Sequence, residues 1–262
     1  MGRGFGVTSA VSHGVVREVA REAERLGYTS FWVNDMPNAD GLASLAAASA
    51  ATSRIKLGVG VIPLDQRSPA VIGEGVRSSG LPLDRLLLGV GSGHSPGALG
   101  RVRSGVDELE REISAKVVIG ALGPKMSALA GEVADGVLFN WVMPEYAERA
   151  GRSVLDAAER TDRPSPSLMA YVRCGLTPHA EQRLGEELER YAGVPQFARH
   201  VERMGVGARD TCVVGPDIAT VQAGIARYEA VLDETIVRAI TSSDSLHDLL
   251  ELLGACAPRT AA

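Results

Sequence analysis

Two short loops of this sequence carry the residue types best suited to chemistry. One closes on Gly91, Ser92, Gly93 and His94; the other on Leu122, Gly123, Pro124 and Lys125. Glycine has no Cβ, so backbone N–H groups in such loops can approach a ligand closely. Turn amides together with a helix N-terminus form a site for phosphate or carboxylate. Lys125 sharpens the point. A helix that opens at Gly123-Pro124 already carries partial positive charge there, so a lysine in its first turn is mildly unfavourable unless an anion sits beside it. The plainer alternative is that the glycines make tight turns and Lys125 points into solvent.

Titratable groups flank these loops. Asp35 follows an apolar run, where a carboxylate requires either a partner or a function, and capping the next helix is one such function. His94 could donate a proton to a ligand held by the glycine loop, or serve only as a hydrogen-bonded loop residue. Trp32 and Trp141 could stack on a ring or fill the core. The other histidines (His13, His179, His200, His247) lack metal-binding spacing, and no G-x-S-x-G, H-E-x-x-H or P-loop motif occurs. The sequence predicts no metal site.

The elements that must position these residues alternate. Apolar runs at "GFGVT", "TSFWVN", "IKLGVGV", "RLLLGVG", "KVVIGAL", "GVLFNW", "SLMAYVRCGL" and "ETIVRAI" read as eight strands. Each is separated from the next by a helical pattern, such as Val15, Val16, Val19, Ala20, Ala23 and Leu26 before Gly27. Strands that are apolar throughout are buried on both faces, as in parallel sheets. About eight such units in roughly 250 residues predict an α/β fold of the (β/α)8 TIM-barrel type, with residues 1–262 as a single domain. An open doubly wound sheet would favour a G-x-G-x-x-G turn after the first strand, and "VTSAVSHG" is not one. In a barrel, the two glycine loops are neighbours at the C-terminal end of the strands, where such folds place their sites.

Composition narrows the partners. The 262 residues are 45% hydrophobic with net charge −5 and interspersed charges, so neither nucleic acid nor a membrane surface is expected, and a small molecule is. Three widely spaced cysteines (Cys174, Cys212, Cys256) fit neither a disulfide framework nor a zinc site, which predicts a reducing, cytoplasmic setting. The N-terminal stretch lacks the apolar core of a signal peptide.

The stretch "ALGPKMSALAGEVADGVLFNW" resembles the luciferase-like monooxygenase superfamily, in particular its branch that uses the deazaflavin coenzyme F420. "EAERLGYTSFWVND", "SRIKLGVGVIPLDQRSPAVI", "LPLDRLLLGVGSG" and "CVVGPDIATVQAGIARYEAVLDETIVRAI" resemble further units of that family in the same order. The resemblance implies a luciferase-like barrel and an oxidoreductase passing a hydride between F420 and a small organic substrate. It also implies a bulge in the third strand, often with a non-prolyl cis peptide, at Gly60 and Val61 behind the cofactor ring. Gly91, Ser92, Gly93, Leu122, Gly123, Pro124, Lys125 and Met126 would receive the rest of the cofactor. Asp35 and His94 would be catalytic, with Asn34, Met36 and Trp141 beside the substrate. Phe5, Trp32 and Arg173 complete an expected apolar slot.

Three departures qualify this picture. Met36 stands where alcohol-oxidising members have His, and His94 where they have Glu. The connection through "REISAKVVIG" is also short, whereas relatives often insert a segment that covers the site; a more open pocket is therefore expected. Openness harms an oxygen-activating flavin more than a deazaflavin. The alternatives are an FMN-dependent monooxygenase and a non-catalytic cofactor-binding barrel. A homodimer is a further expectation, since relatives are often dimers and the apolar tail "SLHDLLELL" could serve an interface.

Overall fold

A computed structural model describes residues 1–258, so residues 259–262 of the expected domain lie outside the described residues. The strands are β1 (Gly2–Val7), β2 (Ser30–Val33), β3 (Lys56–Pro63), β4 (Leu86–Gly91), β5 (Lys116–Ala121), β6 (Gly136–Asn140), β7 (Ser167–Leu176), β8 (Val213–Gly215) and β9 (Glu234–Ala239). Pairing runs in parallel from β1 to β7, on to β9 and back to β1, which closes an eight-stranded barrel. The short β8, absent from the eight predicted strands, pairs with Cys174–Leu176 at the end of β7.

The helices are α1 (His13–Arg25), α2 (Gly41–Ser49), α3 (Pro69–Ser78), α4 (Ala98–Glu112), α5 (Pro124–Val133), α6 (Pro144–Arg160), α7 (Glu181–Ala192), α8 (Pro195–Met204), α9 (Ile218–Glu229) and α10 (Leu246–Ala255). Local chemistry sets their ends. Ser12, Asp40, Ser68, Asp217 and Ser245 accept from backbone N–H groups at N-caps, and α3, α5, α6 and α8 open on proline, whose missing N–H costs nothing there. Gly27, at φ 84°, follows the C-cap of α1 as expected.

The barrel interior holds Trp32, Leu87, Val118, Leu138, Met169, Tyr171 and Ile236, with Trp32 and Tyr171 edge to face at 5.8 Å. A Cβ on Gly58 would fall 2.2 Å from the Trp32 ring, so the indole fits only because that position has no side chain. Trp32 is therefore interior packing and not a pocket wall. Phe5 faces the helix layer, against Tyr28 at 5.6 Å. The tail stripe is also internal: Leu249, Leu252 and Leu253 are buried, and Tyr28 Oη donates to the Leu253 carbonyl. No helix among the described residues is long and apolar enough to cross a membrane.

Candidate active site

The site begins with an irregularity in β3. Its register against β4 slips between Val59 and Ile62, and the Gly60–Val61 peptide is cis, as expected. A bulge re-aims the side chains that follow it, and Val61 turns into the barrel. Cβ atoms on Gly91 and Gly120 would lie 2.7 and 2.9 Å from the Val61 methyls. Those two glycines thus leave room for Val61.

Above this bulge lies a cavity of about 230 Å³ at the C-terminal ends of the strands. Of the residues predicted from sequence, it brings together Gly60, Val61, Gly91, Ser92, Gly93, His94 and Leu122. Pro63, Gly120, Ala121, Leu138, Asn140, Tyr171 and Gln196 complete the wall. Tyr171 and Asn140 sit on strand faces whose direction requires the closed barrel to be known. Gln196 comes from α8, and nothing in its sequence surroundings marks it.

The glycine loop after β4 is not an empty cradle. Asp65, from the β3–α3 loop, accepts from His94 N at 2.8 Å, Ser95 N at 3.0 Å and Ser95 Oγ at 3.0 Å. Burial acts to raise its pKa, but the N–H groups of Ser95 and His94 and the Ser95 hydroxyl outweigh it and hold the carboxyl below its usual value. The His94 and Ser95 amides of this loop are thus bonded to the protein's own carboxylate. The loop after β5 differs. Gly123, the N-cap of α5, has no side-chain capping bond, Lys125 is exposed, and Arg203 Nη2 donates to the Leu122 carbonyl at 3.3 Å. Pro124, Lys125 and Met126 lie on this first turn, beside the cavity and not in its wall.

Asp35 is engaged elsewhere. It pairs with Arg67 at 3.1 Å and accepts from Gly41 N at 3.0 Å. Burial raises its pKa, against the opposing effects of the Gly41 N–H and Arg67. Asn34 Oδ1 accepts from Ser9 N and Met36 Sδ from Thr8 Oγ1, which ties the β1 and β2 loops together. None of the three lines the cavity.

Trp141 is also sequestered. It is 1% exposed, with the Arg173 guanidinium 3.4 Å above its ring centroid and Tyr191 at 5.0 Å. Arg173 in turn bonds Glu187 of α7 and Asn140, so the expected apolar slot with little charge instead has a buried ion pair at its edge.

The model for the luciferase-like monooxygenase family matches residues 4–112 and 101–242, most of the chain. The chain belongs to that family. A relative of this luciferase-like protein, the 5,10-methylenetetrahydromethanopterin reductase of Methanolobus tindarius, is 26% identical over 197 residues, 61% of this chain. The match spans 60% of that reductase's length. Among solved structures, the coenzyme F420-dependent tetrahydromethanopterin reductase of Methanopyrus kandleri aligns with TM-score 0.71 at 18% identity, covering 95% of this chain and 96% of its own. The oxygenating constituent of 3,6-diketocamphane monooxygenase from Pseudomonas putida, in complex with FMN, gives 0.71 at 14%, covering 98% and 97%. These likenesses establish the barrel.

The open pocket expected from the short β4–β5 connection is partly roofed from the other side. In this luciferase-like protein α7 and α8 are inserted between β7 and β8, and Gln196 Nε2 lies 2.6 Å from His94 Nδ1. An amide N–H donated to Nδ1 leaves the neutral imidazole's proton on Nε2. His200, on the same helix, bonds the Trp141 carbonyl at 2.9 Å and is held by burial below its usual pKa. The histidine that departs from the family pattern is thus at the mouth, oriented by the roof.

Proposed function

We propose that this chain is an oxidoreductase that transfers a hydride between coenzyme F420 and a small organic substrate. The observation that carries the reading is the pairing of two features at the strand ends. One is a wall formed by the bulged Gly60–Val61 backbone with Val61 and Leu138; the other is the uncapped start of α5 between Lys125 and Arg203. A flat apolar wall suits a conjugated ring, and a cationic helix start suits an anionic tail.

The bound deazaflavin would supply the hydride chemistry. The chain's residues supply the rest. Ser92, Asn140 and Tyr171 are the polar groups of the wall and would orient ring and substrate by hydrogen bonds. His94 Nε2, with its proton set by Gln196, is the group that would exchange a proton with the substrate oxygen or nitrogen. Asp35 would contribute by holding the β2–α2 loop through Arg67. A cavity of about 230 Å³ is below the range of roughly 300–1,000 Å³ usual for ligand sites, so the site must widen as the ring enters.

A second reading is an FMN-dependent monooxygenase, favoured by the roof, since an oxygen-activating flavin requires water to be excluded. Titration of the purified protein with oxidised F420 and separately with FMN, followed by fluorescence, tests both. Saturable binding of F420 alone supports the first reading, preference for FMN the second, and binding of neither overturns both in favour of a non-catalytic barrel. The proposed setting is the cytoplasm, where three unpaired thiols stay reduced, and a homodimer would be checked by light scattering.

A further inference from the structure

Two arginines stand at the barrel mouth with no role in hydride transfer. Arg173 of β7 and Arg238 of β9 are register partners, and both share the inward parity of Tyr171 and Ile236, which lie in the interior cluster. Arg173 is 4% exposed and fully engaged. Its Nε and Nη2 donate to Glu187 Oε1 at 3.1 and 3.0 Å, its Nη1 donates to Asn140 Oδ1 at 2.7 Å, and Trp141 lies beneath it.

Arg238 is different. It is half-buried, its one side-chain hydrogen bond among the described residues goes to the adjacent Ala239 carbonyl, and no carboxylate of those residues pairs with it within 4.0 Å. Glu187 is the carboxylate that feels both arginines. Burial raises its pKa, but Arg173 and then Arg238 bring it below its usual value. Two guanidinium groups against one carboxylate leave a net charge of about +1 at this edge.

In a ring ordered β1 to β7 and then β9, β4 lies across from β9, and there Asp65 of the β3–α3 loop is bound to the loop after β4, with Arg101 beside it. An anionic group entering the mouth is therefore attracted at β9, where the Arg238 guanidinium has no carboxylate partner among the described residues. Two residues connect that attraction to the cavity. Asn140 bonds Arg173 and lines the cavity, and Tyr171 lines it two residues below Arg173, about 7 Å along the strand.

We propose that Arg238, backed by Arg173, binds a carboxylate of the substrate, and that Glu187 is an internal carboxylate which keeps Arg173 in place and limits the net charge of the pair. The substrate class is then organic monoanions whose reacting carbon lies a few bonds from the carboxylate, so that it reaches the cavity over Tyr171. This assignment rests on the oxidoreductase reading for its catalytic meaning, but anion binding is measurable without any cofactor.

The probe is benzoate, titrated at constant ionic strength into the cofactor-free protein while the fluorescence of its two tryptophans, Trp32 and Trp141, is followed; benzamide is the uncharged control. Benzoate should give a saturable change and benzamide none. Arg238→Gln should weaken benzoate binding at least 10-fold and Arg238→Lys by less, while Glu187→Gln should tighten it roughly 3–10-fold by removing the competing charge. Circular dichroism melts verify the fold of each variant, and the benzoate–benzamide comparison on the unaltered protein holds even if a variant unfolds. Equal binding of the two probes, or an Arg238→Gln affinity within twofold of the unaltered protein, overturns the proposal. So does Arg238-dependent binding of inorganic phosphate far tighter than that of benzoate. F420 titration separates the two readings: F420 binding without benzoate binding overturns the carboxylate site alone, whereas benzoate binding without F420 binding supports the site and overturns the cofactor reading.

Discussion

The carboxylate of Asp65 occupies the space that a side chain at Gly93 would take. A Cβ on Gly93 would lie 1.7 Å from Asp65 Oδ1, and Gly93 has φ 68°, where L side chains are strained. The loop that looks from sequence like an anion cradle is closed by an anion of its own, brought in from the preceding βα loop. The proposed cofactor tail then leaves over β5, where the start of α5 has no such occupant.

Gly93→Ala should cost about 1–3 kcal/mol, through positive-φ strain and displacement of Asp65. In an Asp65→Ala background the same change should cost less, because the displaced group is gone. Urea denaturation of the four proteins checks this. Additivity within about 0.5 kcal/mol would show that the two residues do not compete for space.

Asp65 also sets an acid limb. Its folded-state pKa is lowered, so the stability it adds is fully present above the unfolded carboxyl's pKa and is lost as pH falls through the folded value. Asp65→Asn should flatten the fall in melting temperature below the usual carboxylate range, and an unchanged slope would contradict the hydrogen bonds from His94 and Ser95.

Arg67→Met would leave Asp35 partly buried with the Gly41 N–H as its remaining named partner. The expected cost is about 1–3 kcal/mol near neutral pH. Because the Asp35 pKa is already raised and would rise further, the deficit should shrink on acidification as the carboxyl is neutralised. A chemical-denaturation series over pH measures it, and a deficit independent of pH would assign the loss to packing.

If the hydride-transfer reading holds, His94→Phe should lower kcat by roughly 10²–10⁴. Gln196→Ala should leave a smaller deficit, since the imidazole loses the donor that orients it at Nδ1. A kcat equal to that of the unaltered protein would mean that Gln196 does not orient His94.

The thiols should be inert in the native state. Burial raises all three, Cys212 to about 11 and Cys256 to about 12, with Cys174 well above its usual value. At pH 8 an Ellman titration should react slowly in buffer and fully in denaturant. Fast native labelling of Cys174 or Cys256 would require that part of the barrel to open readily.

The sequence alone determined the barrel, because hydrophobic periodicity and chain-local caps such as Ser12, Asp40 and Pro69 are written in consecutive residues. Its glycine runs also placed the loops at the strand ends, and the family resemblance placed the β3 irregularity at Gly60–Val61. What those groups touch was decided only by tertiary structure, since contacts between residues far apart in the chain leave no periodic mark. Asp65 against Gly93, Arg67 against Asp35, Val61 against Gly91 and Gly120, and Gln196 against His94 are all such pairs. So are Arg173 and Arg238, 65 residues apart in number yet side by side because β7 and β9 pair to close the barrel. A charge's meaning depends on its neighbours at a few ångströms, and barrel closure is what supplies them.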